Sequence, residues 1–210
     1  MKVVLKLGGS LIDRSADLIE AISDHFAGTE KGMQVIIVPG GGIFADNIRR
    51  ISEEYSLTEN ASHWMAIAAM EQYAHLLEDI TGIPTIEDTS NVNENVSILL
   101  PYRLLKDTDE LPHSWDVTSD TIAAWVAQRM NARFVKATDV DGIFNDGKMI
   151  EEMTLRELER MGETCADRML SKMLIKHGMD CMIVNGDYPE RVVAAIDGKK
   201  VIGTYIKGNI

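Results

Sequence analysis

Short apolar runs and amphipathic stretches alternate along the chain, with turn-forming residues between most of them. Runs rich in Val, Ile and Leu predict strands at Val3–Leu7, Gln34–Val38, Val96–Leu99, Arg133–Ala137, Cys181–Val184 and Val201–Ile206, with a weaker one at Ile83–Ile86. Apolar positions at helical spacing predict helices at Asp17–Phe26, Phe44–Tyr55, Ser62–Ile80, Ser119–Met130, Leu155–Met161, Met169–His177 and Glu190–Ile196. Thr154, with Glu157 three residues on, carries a capping-box signature at the start of one of them. Strands this apolar must be covered on both faces, and the intervening helices supply the cover. The pattern therefore predicts an α/β fold, a single three-layer α/β/α sandwich on a mostly parallel sheet. No repeat, low-complexity tract or Pro/Gly-rich linker divides the chain, so residues 1–210 are expected to form one domain. Residues 88–113 are the most irregular and polar stretch, which marks them as a candidate lid or subdomain over a site.

Composition adds exclusions. A chain of 210 residues that is 45% hydrophobic can bury a full core. Its net charge of −12 opposes nucleic acid and anionic membranes, so local clusters of Lys and Gly stand out against the background. No apolar stretch has membrane-spanning length, and the N-terminus enters a strand without a signal peptide. Cys165 and Cys181 have neither metal-type nor redox-type spacing, as expected of reduced thiols in a cytoplasmic protein, and no residues are assigned to a metal.

Two glycine turns carry the strongest chemical signal. Lys6-Leu7-Gly8-Gly9-Ser10 ends the first strand and Pro39-Gly40-Gly41-Gly42 the second, each leading into a helix. Glycine amides and a helix N-terminus aimed at one point suit a phosphate, and Lys6 can reach the same oxygens. The plainer reading is that these glycines only make tight turns. Neither turn is a Walker A motif or a Rossmann fingerprint. Trp115-Asp116-Val117-Thr118-Ser119-Asp120 opens a helix, where Ser119 or Asp120 could cap it or Asp120 could orient a catalytic lysine. Asp139 and Asp141, after the strand at Lys136-Ala137-Thr138, either shape a turn with Gly142 at positive φ or hold ribose hydroxyls or a metal-bound nucleotide. Lys172 falls in the first turn of a predicted helix, where the dipole disfavours a cation, so a role beyond helix stability is indicated.

These motifs, with Asn185-Gly186 and Gly203-Thr204 near the end, resemble in kind and order those of the amino acid kinase family. The resemblance runs from Lys6 to Thr204. It implies ATP bound toward the C-terminal half and a phosphate acceptor toward the N-terminal half, with Mg²⁺ on the nucleotide. Lys6 and Lys172 would stabilise the transferring phosphoryl, and Asp120 would orient them. Gly8, Gly9 and Ser10 would hold phosphates, and Thr138, Asp139 and Gly142 the nucleotide. One departure is Asp167-Arg168-Met169 where many members carry G-G-M before the late lysine. The segments around Gly42–Asp46, His63–Met70 and Trp115–Asp120 resemble the methanofuran-biosynthesis branch of the family, whose acceptor is a small phosphate bearing a furan ring and an amine. For such a molecule Gly41, Gly42 and Arg49 suit the phosphate, Asp46 or Asp116 the ammonium, and Phe44, Trp64 or Trp115 the ring. Trp64, Met65 and Met70 could equally be core or a pairing face, and Arg49 a solvated one. The alternatives are a kinase for another small phosphate or carboxylate, isopentenyl phosphate first, and a non-catalytic ATP-dependent oxyanion-storage protein of the same fold. The family resemblance also implies a homo-oligomer, paired through the helix around His63–Leu77.

Overall fold

The structure, a computed structural model, describes residues 1–27, 32–90, 92–162 and 164–208. Its strands are β1 (Lys2–Leu7), β2 (Gln34–Pro39), β3 (Thr85–Ile86), β4 (Val96–Leu99), β5 (Arg133–Thr138), β6 (Ile143–Asn145), β7 (Lys148–Ile150), β8 (Glu152–Thr154), β9 (Cys181–Asn185) and β10 (Thr204–Lys207). The helices are α1 (Ser15–Phe26), α2 (Gly42–Glu54), α3 (Glu59–Thr81), α4 (Pro101–Thr108), α5 (Ser119–Met130), α6 (Leu155–Met161), α7 (Arg168–His177) and α8 (Pro189–Ile196), and a 3-10 helix spans Gly9–Arg14. Eight strands form one sheet in the order β3-β4-β2-β1-β5-β9-β10-β8, parallel throughout except between β9 and β10. The mostly parallel α/β architecture follows the sequence pattern.

Alternation along the strands divides the core in two. Val3, Leu5 and Leu7 of β1, Val35 and Ile37 of β2, and Val135 and Ala137 of β5 pack on α1 and α8. Val4, Ile36, Val38 and Phe134 point the other way, against α5, α6 and α7. Helix α3 serves both layers, with Trp64, Ile67 and Met70 in one and Tyr73, Ala74 and Leu77 in the other. Trp64 and Met70 are thus core residues, although Met70 also reaches a pocket described below.

Several boundaries shift. The capping box at Thr154 and Glu157 forms as expected. The last strand begins at Thr204 rather than Val201. Residues 88–113 are not a lid as a whole: they contain β4, whose residues are all buried, and the amphipathic helix α4. Asn91 lies outside the described residues. Gly142 is not at positive φ. It is needed for space, because a Cβ there would stand 2.5 Å from Thr204 Oγ1. Both cysteines are free, and burial raises the pKa of each. Among the described residues no helix is long and apolar enough to cross a membrane.

Candidate active site

Register and alternation together create a buried ionic layer. In the parallel β1/β5 pair Lys6 stands opposite Lys136, and both side chains point to the α5 face. Two adjacent ammoniums in a buried layer repel unless a carboxylate lies between them. The first turn of α5 supplies it. Asp120 Oδ1 is 2.9 Å from Lys6 Nζ, and Oδ2 accepts from Lys136 Nζ. Lys6, Asp120 and Lys136 are 7%, 5% and 2% exposed, so this charge is held out of bulk water. Asp120 is free for the task because Thr118 caps α5, its hydroxyl accepting the Asp120 amide at 3.1 Å. The expectation that Ser119 or Asp120 caps this helix is corrected accordingly.

The electrostatics follow from burial and charge. Burial works to raise the Asp120 carboxyl, but the Lys6 and Lys136 ammoniums overcome it and hold the group below the ordinary value. Burial pushes Lys6 down; Asp120 opposes the shift and Lys136 adds to it. Asp167, the N-cap of α7, is raised by burial and then by the nearby Asp120 charge. Its carboxylate accepts from the Thr118 and Thr121 hydroxyls, tying α7 to α5.

A cleft of about 1120 Å³ lies over this layer. Its wall takes Gly9 and Ser10 from the 3-10 helix, Gly41 and Gly42 from the start of α2, Ser119 from the start of α5, and Asp167 from the start of α7. Residues at the starts of four helices thus line one space, an arrangement suited to an anion in a protein of net charge −12. The glycine turns also pack on each other. A Cβ on Gly9 would lie 2.5 Å from the Gly42 nitrogen, and one on Gly40 would lie 2.6 Å from the Gly9 nitrogen. Gly8 is engaged in the sheet, its amide donating to the Ala137 carbonyl at 3.0 Å, so it is not a free phosphate donor.

A second pocket of about 490 Å³ opens from the cleft, sharing Gly41, Ala45, Arg49, Thr118 and Ser119 with it. Beyond that junction its wall is largely apolar, formed by Ala66, Ile67, Met70, Val117 and Ile122, with Trp115, Ser114 and His63. The Arg49 guanidinium stands 5.6 Å from the Trp115 ring centre. Phe44 instead packs on the core beside α1, Trp64 is buried, and Asp116 is exposed outside the pocket wall. Asp46 faces the cleft and pairs with Arg49 at 2.7 Å.

Lys172 is not brought to Lys6 and Asp120. Helix α7 starts at Arg168, so Lys172 is its fifth residue, beyond the first turn and exposed. The second ammonium on Asp120 is Lys136, which motif reading passed over. Its signal was the alternation that turns it to the α5 face; only the pairing of β1 with β5 sets it level with Lys6. Thr138 and Asp139 end β5 on the cleft side of the sheet, with the Thr138 hydroxyl donating to Asp139 at 3.2 Å, while Gly142 is packed beneath Thr204.

The amino acid kinase family model matches residues 1–86 and 83–185. The [5-(aminomethyl)furan-3-yl]methyl phosphate kinase of Methanocaldococcus jannaschii is 31% identical over 214 residues, covering 98% of this chain and 97% of that protein. The uridylate kinase of Archaeoglobus fulgidus is 26% identical, covering 98% and 100% respectively. A crystal structure of uridylate kinase from Archaeoglobus fulgidus aligns with a TM-score of 0.72 at 22% identity, over 98% of this chain and 100% of that one. The UMP kinase of Bacillus anthracis aligns at 0.70 and 17%, over 100% and 96%. With the family matched across most of its length and a sheet of that fold beneath its phosphate-suited cleft, the chain belongs to the amino acid kinase family and is a kinase.

Proposed function

We propose that the protein transfers the γ-phosphoryl of ATP to the phosphate of [5-(aminomethyl)furan-3-yl]methyl phosphate, forming its diphosphate for methanofuran biosynthesis. The observation that carries the reading is the buried Lys6–Asp120–Lys136 layer, lying beneath a cleft that leads into a small pocket with Trp115 in its wall. An acceptor phosphate oxygen attacks the γ-phosphorus, the bond from that phosphorus to the β–γ bridging oxygen breaks, and ADP leaves. The acceptor is already an anion, so no general base is required. Such a transfer needs alignment and charge stabilisation rather than covalent help from the protein.

Lys6 would meet charge developing on the transferred group, Asp120 would fix it in place, and Lys136, buried on the other carboxylate oxygen and not part of the cleft wall, would add its positive field from behind. The free amides of Gly9 and Ser10 would hold donor phosphates; those of Gly41 and Gly42, with Arg49, would hold the acceptor phosphate. Trp115 would flank the furan. At the strand ends, exposed Asp139 is open to ribose hydroxyls, and Tyr188 presents an exposed ring with the Arg191 guanidinium 3.7 Å from its centre. Among the described residues no three acidic, His or Cys side chains form a metal cage. Mg²⁺ needs none when it keeps its waters and phosphate ligands. Bound in that way it would neutralise phosphate oxygens, with Ser10 and Asp167 the cleft-wall groups able to meet it or its waters. The free thiols fit a cytoplasmic setting, and exposed Leu76 and Ile80 on α3 offer a face for pairing with a second copy.

The test mixes the protein with Mg-ATP and the furan phosphate and follows the diphosphate by mass spectrometry, with UMP and isopentenyl phosphate as rival acceptors. Faster turnover of the furan phosphate is the expected result. A preference for either rival would overturn the acceptor, and ATP binding without acceptor-dependent ADP release would favour a storage role.

A further inference from the structure

The acceptor pocket lacks a group that the proposed acceptor demands. An ammonium would ordinarily be met by a carboxylate, yet the pocket wall contains none. Asp46 is paired with Arg49 in the cleft, and Asp116 stands outside. Beyond the junction with the cleft, where the end of the acceptor opposite its phosphate would lie, the titratable side chain is His63.

That imidazole is held in one orientation. It stacks on His113, with ring centres 4.8 Å apart and planes 19° from parallel, and meets Trp64 edge-on at 5.2 Å. His113 is itself fixed by Asn60 and Asp109, one at each ring nitrogen and each at 2.7 Å. His63 is only 4% exposed, yet it lines the pocket, beside the backbone of Ser114, which lines it too. Burial first, and His113 second, hold the ring below the ordinary imidazole value, so at neutral pH it is uncharged. A neutral imidazole carries one N–H and offers a lone pair at its other nitrogen.

We propose that His63 is the specificity-determining residue for the amine end of the acceptor, its open ring nitrogen accepting a hydrogen bond from a primary ammonium inside a pocket without carboxylates. The inference rests on the acceptor assignment above. A neutral acceptor suits a substrate that carries its own phosphate charge, since a carboxylate in the pocket would oppose entry of that phosphate. A site built around such a hydrogen bond rejects an analogue that lacks the donor.

The experiment compares kcat/KM for the aminomethyl acceptor and for its analogue with methyl in place of aminomethyl. Wild type should favour the amine by at least about tenfold, the scale of one hydrogen bond to a charged group. His63→Phe keeps a ring against His113 but removes the nitrogens. It should erase that preference, mainly through KM, the amine compound losing far more than the methyl analogue. His63→Gln, which retains an acceptor, should restore part of it. Equal losses on both substrates would assign His63 a packing role and overturn the proposal, as would no loss on either. Absence of turnover by wild type on both furan phosphates would instead overturn the acceptor assignment, and this inference with it. Imidazole ¹⁵N shifts of the wild-type protein supply a readout independent of variant folding. The open nitrogen of His63 should shift on adding the amine compound and not the methyl one; identical spectra would overturn the proposal.

Discussion

The two faces of β1 and β5 share one backbone and one register yet carry opposite designs. Toward α1 and α8 they present Val3, Leu5, Leu7, Val135 and Ala137, a wholly apolar layer. Toward α5 they present Val4 and Phe134, then two lysines neutralised in part by one aspartate. Apolar packing would stabilise the second face at least as well, because buried ion pairs seldom repay the loss of hydration. Stability therefore explains the first face and not the second. The excess of one positive charge beneath a cleft built for anions gives the second its reason.

Substitutions can break this contrast. Asp120→Ala leaves two ammoniums buried without a counter-charge; we expect stability to fall by about 3–5 kcal/mol in urea titrations and turnover to vanish. Lys136→Met should lower kcat by about a hundred- to thousandfold in an ADP-release assay. Its urea midpoint should stay level or rise, since Lys6 and Asp120 remain as a matched pair. A large loss of stability in that variant would show that the ionic layer holds the fold. On the opposite face Leu5→Ala should cost about 2–5 kcal/mol, with kcat per folded molecule unchanged.

pH sharpens the contrast by a smaller effect. Lys6 is depressed below the ordinary lysine value, chiefly by burial, so raising the pH removes its charge earlier than for an exposed lysine. kcat/KM for ATP, which reports the free enzyme, should decline on the alkaline side before about pH 10.5, while Asp120, held low, contributes no loss at neutral pH. A profile flat through that range would contradict the assignment. The smallest change is expected of Lys172→Ala, less than about tenfold in kcat/KM, because its charge is exposed and screened. A hundredfold loss would mean that α7 carries Lys172 to the cleft during turnover.

Long periodic elements were legible in the sequence because apolar spacing alone fixes them, as with α1 and α3. The short ones were not, α6 excepted, which its capping box marks. Helix α4 is one amphipathic turn-pair starting at Pro101, too brief for its period to stand out in a polar stretch. The β6–β7 hairpin has three-residue strands around Asp146 and Gly147, both at positive φ. Within the site, Lys6, Asp120 and the glycine turns were readable from local motifs. Lys136 required the register of two strands 130 residues apart in the chain, since Lys6 and Lys136 become neighbours only through pairing. His63 needed the pocket itself. Phe44 misled because helical position alone does not say which side of α2 meets the core.

The contact between the two glycine turns has a consequence for how such an enzyme can diverge. Gly9 and Gly42 touch main chain to main chain, without a side chain through which mutation could adjust their separation. On the phosphate assignment proposed above, the gap between donor and acceptor phosphates is thereby written into the backbone, like the fixed jaw of a gauge. The pocket beyond it is walled by replaceable side chains on α2, α3 and the turn before α5. On that assignment a lineage would exchange one acceptor for another by editing that wall, while the distance across which the phosphoryl travels would stay fixed by main-chain packing.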